Sequence, residues 1–260
     1  MMNKIEVTEK NKIQNNIEGI IIDTDEDTLT INITSNYNNP IMLINNIYQK
    51  VLITVGDNVS VSFLEIKDDK TNLNSKYKYT IGSNSKVIVN KFYYMNEYNE
   101  DVLVNLDGHG ANVLFNLSVM SSSLQKYNIT INHNNKNTIS NIYNHGVTFE
   151  DGAIDLVVNG FVKRGMSDSV LNQDNKIMTM GSGTSIIKPN LFIDEYIVEA
   201  RHGASIGRFN EEEIFYLETR GLPSQEGYYL LMKGFLLGMF SLDEEVKNKL
   251  EDIIEKYGRW

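Results

Sequence analysis

The sequence of 260 residues contains no cysteine. A secreted domain held together by disulfides is therefore excluded, as are a thiolate nucleophile and a metal site with cysteine ligands. Long apolar runs are missing too: the longest, Tyr228–Phe240, has 13 residues including Lys233 and is too short to span a bilayer. Residues 1–18 are polar and lack the apolar core of a signal peptide, so we expect a cytoplasmic protein.

Positive charge is also scarce. The chain has 24 Lys and Arg against 34 Asp and Glu, a formal net charge of −10. Nucleic-acid binding needs a basic surface, so we expect no DNA or RNA partner. The remaining composition, 41% hydrophobic and 22% charged, is typical of a globular protein rather than a disordered or membrane protein.

From residue 19 to about 207, short β-branched and aromatic runs alternate with turns rich in Asn, Asp, Gly and Ser. Runs that recur every 26 residues begin at Val61, Val87, Val113 and Ile139, and the glycines with the same spacing are Gly56, Gly82 and Gly108. This period predicts an all-β solenoid in which Val61, Val87 and Val113 stack on one inward face. A β-sandwich with evenly spaced strands is the alternative.

Beyond Phe209 the pattern becomes helical. The predicted N-terminal caps are Asn210 with Glu213, then Ser224, then Ser241 with Glu244, and Gly221 ends the first helix. The second helix has an apolar stripe of Tyr228, Leu231, Met232, Phe235 and Met239. We therefore predict an N-terminal arm (1–18), a β-solenoid core (19–207) and a C-terminal helical domain (208–260) whose three helices cover the open end of the coil.

Few residues offer chemistry. The four histidines show no helical metal-binding spacing; His109, His133 and His145 are predicted in corners, and His202 remains as a weak metal candidate. Four carboxylates could suggest a polysaccharide-cleaving β-helix, but the spacing of Asp151, Asp155, Asp168 and Asp174 shows no convergence. We predict no catalytic residue.

Three segments resemble successive signatures of the SufB/SufD family of iron–sulfur cluster assembly proteins, in their SufD-like form. These segments are Gln173-Asp174-Asn175-Lys176, 188–193 and 201–207, and 213–222 and Lys233-Gly234-Phe235 follow in order. The resemblance implies a right-handed parallel β-helix with a C-terminal helical domain, which agrees with the fold predicted from the repeat. It also implies a dimer built through the β-helix, and a SufC-like ABC ATPase bound to the helices.

The resemblance assigns residues as well. His202 matches the SufD-type histidine, a candidate ligand for iron or a cluster, whereas the SufB-type cysteine falls on Asp174 and the SufB-type glutamate on Gly203. Without thiolates we expect no stably bound cofactor, only a transient iron–sulfur cluster or iron. Typical members have a longer N-terminal region with helices, whereas this chain enters strands within twenty residues.

We therefore expect a non-catalytic scaffold subunit of the SUF system, paired with a copy of itself or with a SufB-like subunit. The expected ATPase contacts are in the loop after the first helix: Arg220, Gly221, Leu222, Ser224 and Gln225. One alternative is a homodimeric relative with another metal-binding or regulatory role. The other is a β-helix enzyme acting on polysaccharide.

Overall fold

Two parallel sheets wind around a common core in the computed structural model, which describes residues 5–7, 18–68 and 73–258. In spatial order, the first sheet consists of β1 Ile5–Val7, β4 Ile41–Ile44, β6 Ser60–Lys67, β8 Lys86–Tyr94, β10 Asn112–Ser121, β12 Ile139–Thr148, β14 Ser169–Thr179 and β16 Val198–Gly207. The second consists of β15 Ile186–Ile193, β13 Ala153–Val162, β11 Leu124–His133, β9 Tyr98–Leu106, β7 Leu73–Ile81, β5 Lys50–Val55, β3 Thr28–Ile33 and β2 Ile20–Asp25.

Successive strands from β3 onwards alternate between the two sheets, so each pair of strands makes one turn of a solenoid. The strand pairs are parallel except the hairpin of β2 and β3. The predicted solenoid is therefore confirmed, and the sandwich, which needs antiparallel sheets, is wrong. Strand β1 lies within the predicted N-terminal arm and pairs with β4; residues 1–4 and 8–17 of that arm lie outside the described residues.

The valines predicted to stack do so. Val61 is in register with Val87, and Val87 with Val113; all three are buried in the space between the sheets, here called the lumen. The prediction for the fourth run, which begins at Ile139, was wrong by one residue: Val113 pairs with Ser140 rather than with Ile139. The corner between β10 and β11 is one residue longer than the corner between β8 and β9. This extra residue ends the 26-residue period.

The geometry of the corners explains why glycines and asparagines recur at regular spacing. Asn58 and Asn84 have φ of 58° and 52°, the left-handed conformation that Asn tolerates better than most residues. At Gly82 a Cβ atom would lie 2.7 Å from the carbonyl oxygen of Gly56 in the preceding turn. Only glycine permits the turns to approach this closely.

The C-terminal helices are α1 Glu211–Thr219, α2 Ser224–Leu237 and α3 Glu244–Tyr257. They pack on the outer face of the first sheet rather than over the open end of the coil, so the predicted placement is wrong. The shared apolar layer includes Met42, Leu64, Ile66, Phe92 and Met120 from the sheet and Met232, Leu236, Leu250 and Ile254 from the helices. Both faces of β6 and β8 are buried near their carboxyl ends, so the sheet needs a cover on its outer side.

The observed helix caps match the predicted caps only in part. Asn210 caps α1 by accepting from the backbone N–H of Glu212 at 2.9 Å, and Gly221 follows α1 with φ +90°. The cap of α3, however, is Asp243, which accepts from the N–H of Val246 at 2.8 Å, rather than Ser241. Ser224 is the first residue of α2 and donates to Glu218 instead of capping, since Pro223 occupies the cap position.

Two side chains of the first sheet satisfy carbonyl groups at the C-terminal end of α2. Ser118 donates to the carbonyl oxygen of Leu236 at 2.9 Å, and His145 Nδ1 donates to that of Phe235 at 2.7 Å. These carbonyls have no partner within the helix. Thus His145 lies beneath α2, and His133 is buried in β11; of the three histidines predicted in corners, only His109 is in one.

A cluster of four charged residues, Glu65, Lys67, Lys91 and Glu100, lies fully buried in the lumen. Lys91 Nζ lies 2.8 Å from Glu100 Oε1 and 3.2 Å from Glu65 Oε2, and Lys67 Nζ lies 3.5 Å from Glu65 Oε1. The two carboxylates balance the two ammonium groups. We call these four residues the lumenal charge cluster.

Tyrosine hydroxyl groups surround the lumenal charge cluster. Tyr93 donates to Glu65 at 2.8 Å, Tyr98 donates to Glu100 at 2.7 Å, and Tyr77 also donates to Glu65. Burial alone would raise the pKa of Glu65, but Lys91, Lys67 and these hydroxyl groups outweigh burial and lower the pKa to about 2. Glu65 is therefore ionised at neutral pH, although it is inside the molecule.

Candidate metal site at the open end of the solenoid

The three segments that carry the sequence signatures fall on the last three strands. Residues 173–176 lie in β14, 188–193 in β15 and 201–207 in β16. Strands β15 and β16 are the edges of their sheets at the same end of the solenoid. The fold therefore gathers these segments around one open turn, which we call the open end.

Apolar side chains are exposed at the open end because no further turn covers them. Ile206 is 48% exposed, whereas Ile177, its lumen-facing register partner in the preceding layer, is 1% exposed. The corner between β15 and β16 adds Tyr196 and Ile197, which are 93% and 62% exposed. Exposed apolar surface beside an unpaired strand edge is typical of a protein interface.

His202 points into the lumen at this end, where its Nδ1 lies 3.1 Å from the carbonyl oxygen of Pro189 in β15. A carbonyl oxygen only accepts, so Nδ1 carries the hydrogen of this bond. In the neutral ring Nε2 then carries the lone pair, the form in which imidazole binds a metal. The carbonyl of Pro189 thus orients the ring, as second partners of metal-bound histidines do.

Gln173 is the register partner of His202 and faces the lumen from β14. Its side chain is buried, and its Nε2 lies 3.4 Å from the carbonyl oxygen of Asn190. Its Oε1 has no hydrogen-bond partner. Gln173 is the first residue of the signature segment 173–176. The sequence did not indicate that it lies beside His202, because their separation of 29 residues does not match the 26-residue period.

Asp174 does not join His202. Strand alternation turns Asp174 to the outer face of the sheet, where its Oδ2 lies 2.7 Å from Lys176 Nζ. Gly203 lies beside Asp174 in the next strand and adds no side chain. The positions that match the SufB-type cysteine and glutamate therefore lie on the face of the sheet opposite His202.

The acidic residues weighed as a catalytic group remain apart. Asp151 accepts from Ser182 in a corner, Asp155 lies on the outer face of the second sheet, and Asp168 lies in another corner with φ 61°. In the part of the chain that the structure describes, no three His, Asp or Glu side chains come together as a metal site. The two carboxylates that do converge, Glu65 and Glu100, are sealed inside the lumen and ion-paired with Lys91, so they are not accessible to a polysaccharide.

Of the residues predicted to bind an ATPase, Arg220, Gly221 and Leu222 lie in the loop between α1 and α2, whereas Ser224 and Gln225 begin α2; all five are exposed. Beside this loop, Phe215 is 67% and Tyr216 56% exposed, and the Arg220 guanidinium lies 5.2 Å from the Tyr216 ring centre. A groove of about 370 Å³ between α1 and α2 is lined by Asn210, Glu212, Glu213, Tyr216, Leu217, Leu230 and Leu231. Sequence analysis did not single out Phe215 and Tyr216, because nothing in a single sequence marks an exposed aromatic residue of a helix as a contact.

Fold and site together define a parallel β-solenoid protein with an open last turn, a lumen-facing histidine at that turn and a helical domain on one sheet. Among the described helices none is long and apolar enough to cross a bilayer. The SufBD core domain of the SUF system for iron–sulfur cluster assembly matches residues 8–235. The chain therefore belongs to the SufBD family of the SUF system.

Relatives agree with this assignment. The chain is similar to the iron–sulfur cluster assembly protein SufD of Bacillus subtilis, with 29% identity over 135 residues, 51% of this chain and 31% of that protein. It is similar to SufD of Escherichia coli, with 36% identity over 62 residues, 24% of this chain and 15% of that protein. An iron–sulfur cluster assembly SufBD family protein of Mycobacterium tuberculosis shows 39% identity over 62 residues, 24% of this chain and 15% of that protein. The matches thus cover less than a third of each of these relatives.

Proposed function

We propose that this chain is a non-catalytic scaffold subunit of SUF iron–sulfur cluster assembly. It pairs through the open end, presents His202 to iron or a nascent cluster there, and binds an ABC-type ATPase on its helical domain. The observation that carries this proposal is the geometry of His202: the ring is held by Pro189 and its Nε2 remains available at an exposed edge.

The ligand chemistry supports a transient cargo rather than a resident cofactor. Imidazole nitrogen is a suitable iron ligand, but iron–sulfur clusters are held mainly by cysteine thiolates, of which this chain has none. One histidine per chain holds iron weakly. A second subunit at the same end supplies further ligands: a copy of this chain adds another His202, and a SufB-like subunit adds thiolate.

The open end supports pairing with a second family member. Its apolar residues lie beside two strand edges that another sheet could extend. Pairing at this edge would bury Ile206 and bring His202 into the interface. The proposed partner is therefore a second SufBD-type subunit, either a copy of this chain or a SufB-like chain.

The helical domain supports the ATPase contact. Close to the exposed aromatic pair Phe215 and Tyr216 are the predicted contact residues, Arg220, Gly221 and Leu222 in the loop and Ser224 and Gln225 at the start of α2. Glu211, Glu212 and Glu213 make the first turn of α1 acidic. Aromatic anchors beside charged residues are typical of binding hot spots, and this surface fits a partner with apolar and basic groups.

His202→Ala tests the metal role. We expect iron affinity, measured by anaerobic Fe²⁺ titration of the paired protein, to fall by about 10-fold or more, because loss of a residue that binds or orients a metal typically costs 10–100-fold. Thermal stability should stay close to that of the wild type, since His202 is exposed. His109→Ala is the matched control, because His109 is an exposed corner histidine away from the open end.

Iron binding by His202→Ala at the wild-type level would contradict the proposal. So would loss of folding in this variant, because His202 would then be a structural residue. A homodimeric protein with another metal-binding or regulatory role remains the second candidate. This second candidate would be favoured if iron binding depends on His202 but the chain binds no ATPase.

A further inference from the structure

Gln173 and His202 reach across the open end to consecutive carbonyl groups of β15. Gln173 Nε2 donates to Asn190 at 3.4 Å, and His202 Nδ1 donates to Pro189 at 3.1 Å. The two residues are also register partners on β14 and β16. Both side chains therefore extend towards β15 from neighbouring strands, in the last two layers of the lumen.

The free groups of these two side chains are both acceptors. Gln173 is 3% exposed, and its Oε1 is buried without a hydrogen-bond partner. Exchanging the amide oxygen and nitrogen would bring Oε1 against the carbonyl oxygen of Asn190, so the observed orientation is favoured. A buried acceptor without a partner destabilises the folded chain, and a ligand that bonds to it would remove that cost. His202 Nε2, on the neighbouring strand, is an acceptor as well.

We propose that Gln173 supplies its amide oxygen to the same iron ion that His202 binds through Nε2. This inference rests on the proposed function and adds a second protein donor to that site. Imidazole nitrogen and carbonyl-type oxygen both bind divalent transition metals. Because both donors are neutral, the pair holds a metal weakly, as a site that passes its iron to a neighbouring subunit requires.

A purely structural explanation is that a buried water molecule satisfies Gln173 Oε1. The chain offers a matched control for that explanation in Asn144, which faces the lumen from β12 and is 2% exposed. Asn144 Nδ2 donates to Asn175 Oδ1 at 2.7 Å, and Asn144 Oδ1 likewise has no partner. Its register partner in β14 is Asn175 rather than a histidine.

The experiment is an anaerobic titration with Co²⁺, which replaces Fe²⁺ and can be monitored by its visible absorption. The titrated proteins are the wild type and the variants Gln173→Leu, Gln173→Glu, Asn144→Leu and His202→Ala. We expect Gln173→Leu to weaken Co²⁺ binding by about 10-fold or more, the range typical for residues around metal sites. Gln173→Glu should tighten it by a similar factor, because a carboxylate places a negative charge on the same donor atom. Asn144→Leu should bind like the wild type.

Thermal unfolding with and without Co²⁺ separates binding from folding. If Gln173 is a metal donor, Co²⁺ should raise the unfolding temperature of Gln173→Glu more than that of the wild type, since a ligand that binds more tightly stabilises the folded state more. Wild-type Co²⁺ affinity in both Gln173 variants, with loss in His202→Ala, would overturn this inference and leave the proposed function standing. Wild-type affinity in His202→Ala would overturn both.

Discussion

Lys91→Met is expected to destabilise the protein by about 3–5 kcal/mol, the cost of breaking a buried ion pair by removing one partner. Lys91 is fully buried, and its ammonium group contacts both carboxylates of the lumenal charge cluster. Without Lys91, Glu65 and Glu100 keep only Lys67 as a counter-charge in a low-dielectric interior. The measurement is the free energy of unfolding in urea, with the slope checked for a change in the unfolded state.

The double variant Glu65→Gln with Lys91→Met should recover part of that loss. It removes one charge of each sign and leaves Lys67 and Glu100, so the cluster is balanced again. Residues in one ion-pair network usually show coupling energies of about 0.5–3 kcal/mol in such cycles. Lys86→Met is the control: it lies on the same strand, is exposed, and should change stability by no more than about 0.5 kcal/mol. A Lys91→Met variant as stable as Lys86→Met would show that the cluster contributes nothing to stability.

Ile206→Lys is expected to prevent pairing through the open end. Ile206 would be buried in a dimer, and placing an unpaired ammonium group there costs more than the apolar contact it replaces. We expect the dissociation constant to rise by at least about 10-fold, equivalent to 1.4 kcal/mol. Sedimentation equilibrium measures it, with the chain alone and with a cognate SufB-like subunit.

Ile21→Lys is the matched control for this experiment. Ile21 is 58% exposed, similar to Ile206 at 48%, but lies on β2 at the opposite end of the second sheet. It should therefore leave association unchanged. Wild-type association of the Ile206→Lys variant would place the interface elsewhere, and equal losses in both variants would indicate a general effect of added charge.

Much of the fold could be predicted from the sequence because a solenoid repeats its local rules in every turn. The 26-residue spacing of Val61, Val87 and Val113 needed only alternation and turn residues to be recognised. The same spacing pairs Glu65 with Lys91, and alternation places Glu65 on the inward side with Val61 and Phe63. The lumenal charge cluster was thus visible in principle, but charged residues are usually assigned to the surface.

Other features depended on long-range packing. The position of the helices follows from apolar residues on the outer face of the first sheet, such as Leu64 and Phe92, which simple inward–outward alternation does not predict. The pairing of Gln173 with His202 depends on corner lengths that vary from turn to turn. His202 itself came from the resemblance to known proteins, and the structure added its orientation by Pro189.

The position of the helices also affects how the ATPase contact should be tested. Removing residues 222–260 would expose the apolar outer face of the first sheet, including Leu64 and Phe92, so loss of binding could reflect loss of folding. Substitutions on the exposed surface avoid this problem. Tyr216→Asp with Leu222→Asp changes two exposed residues of the proposed contact, and Ile21→Asp, at a residue 58% exposed on β2 and away from the open end, is the control.

The most direct test of the central claim, that this chain is a SUF scaffold bound to an ATPase, is co-purification of the full-length chain with its cognate ABC-type ATPase. We expect a stable complex with the wild type and with Ile21→Asp, and little or none with the Tyr216→Asp, Leu222→Asp variant. Circular dichroism should show that all three chains are folded. Failure of the folded wild-type chain to retain the ATPase would contradict the account.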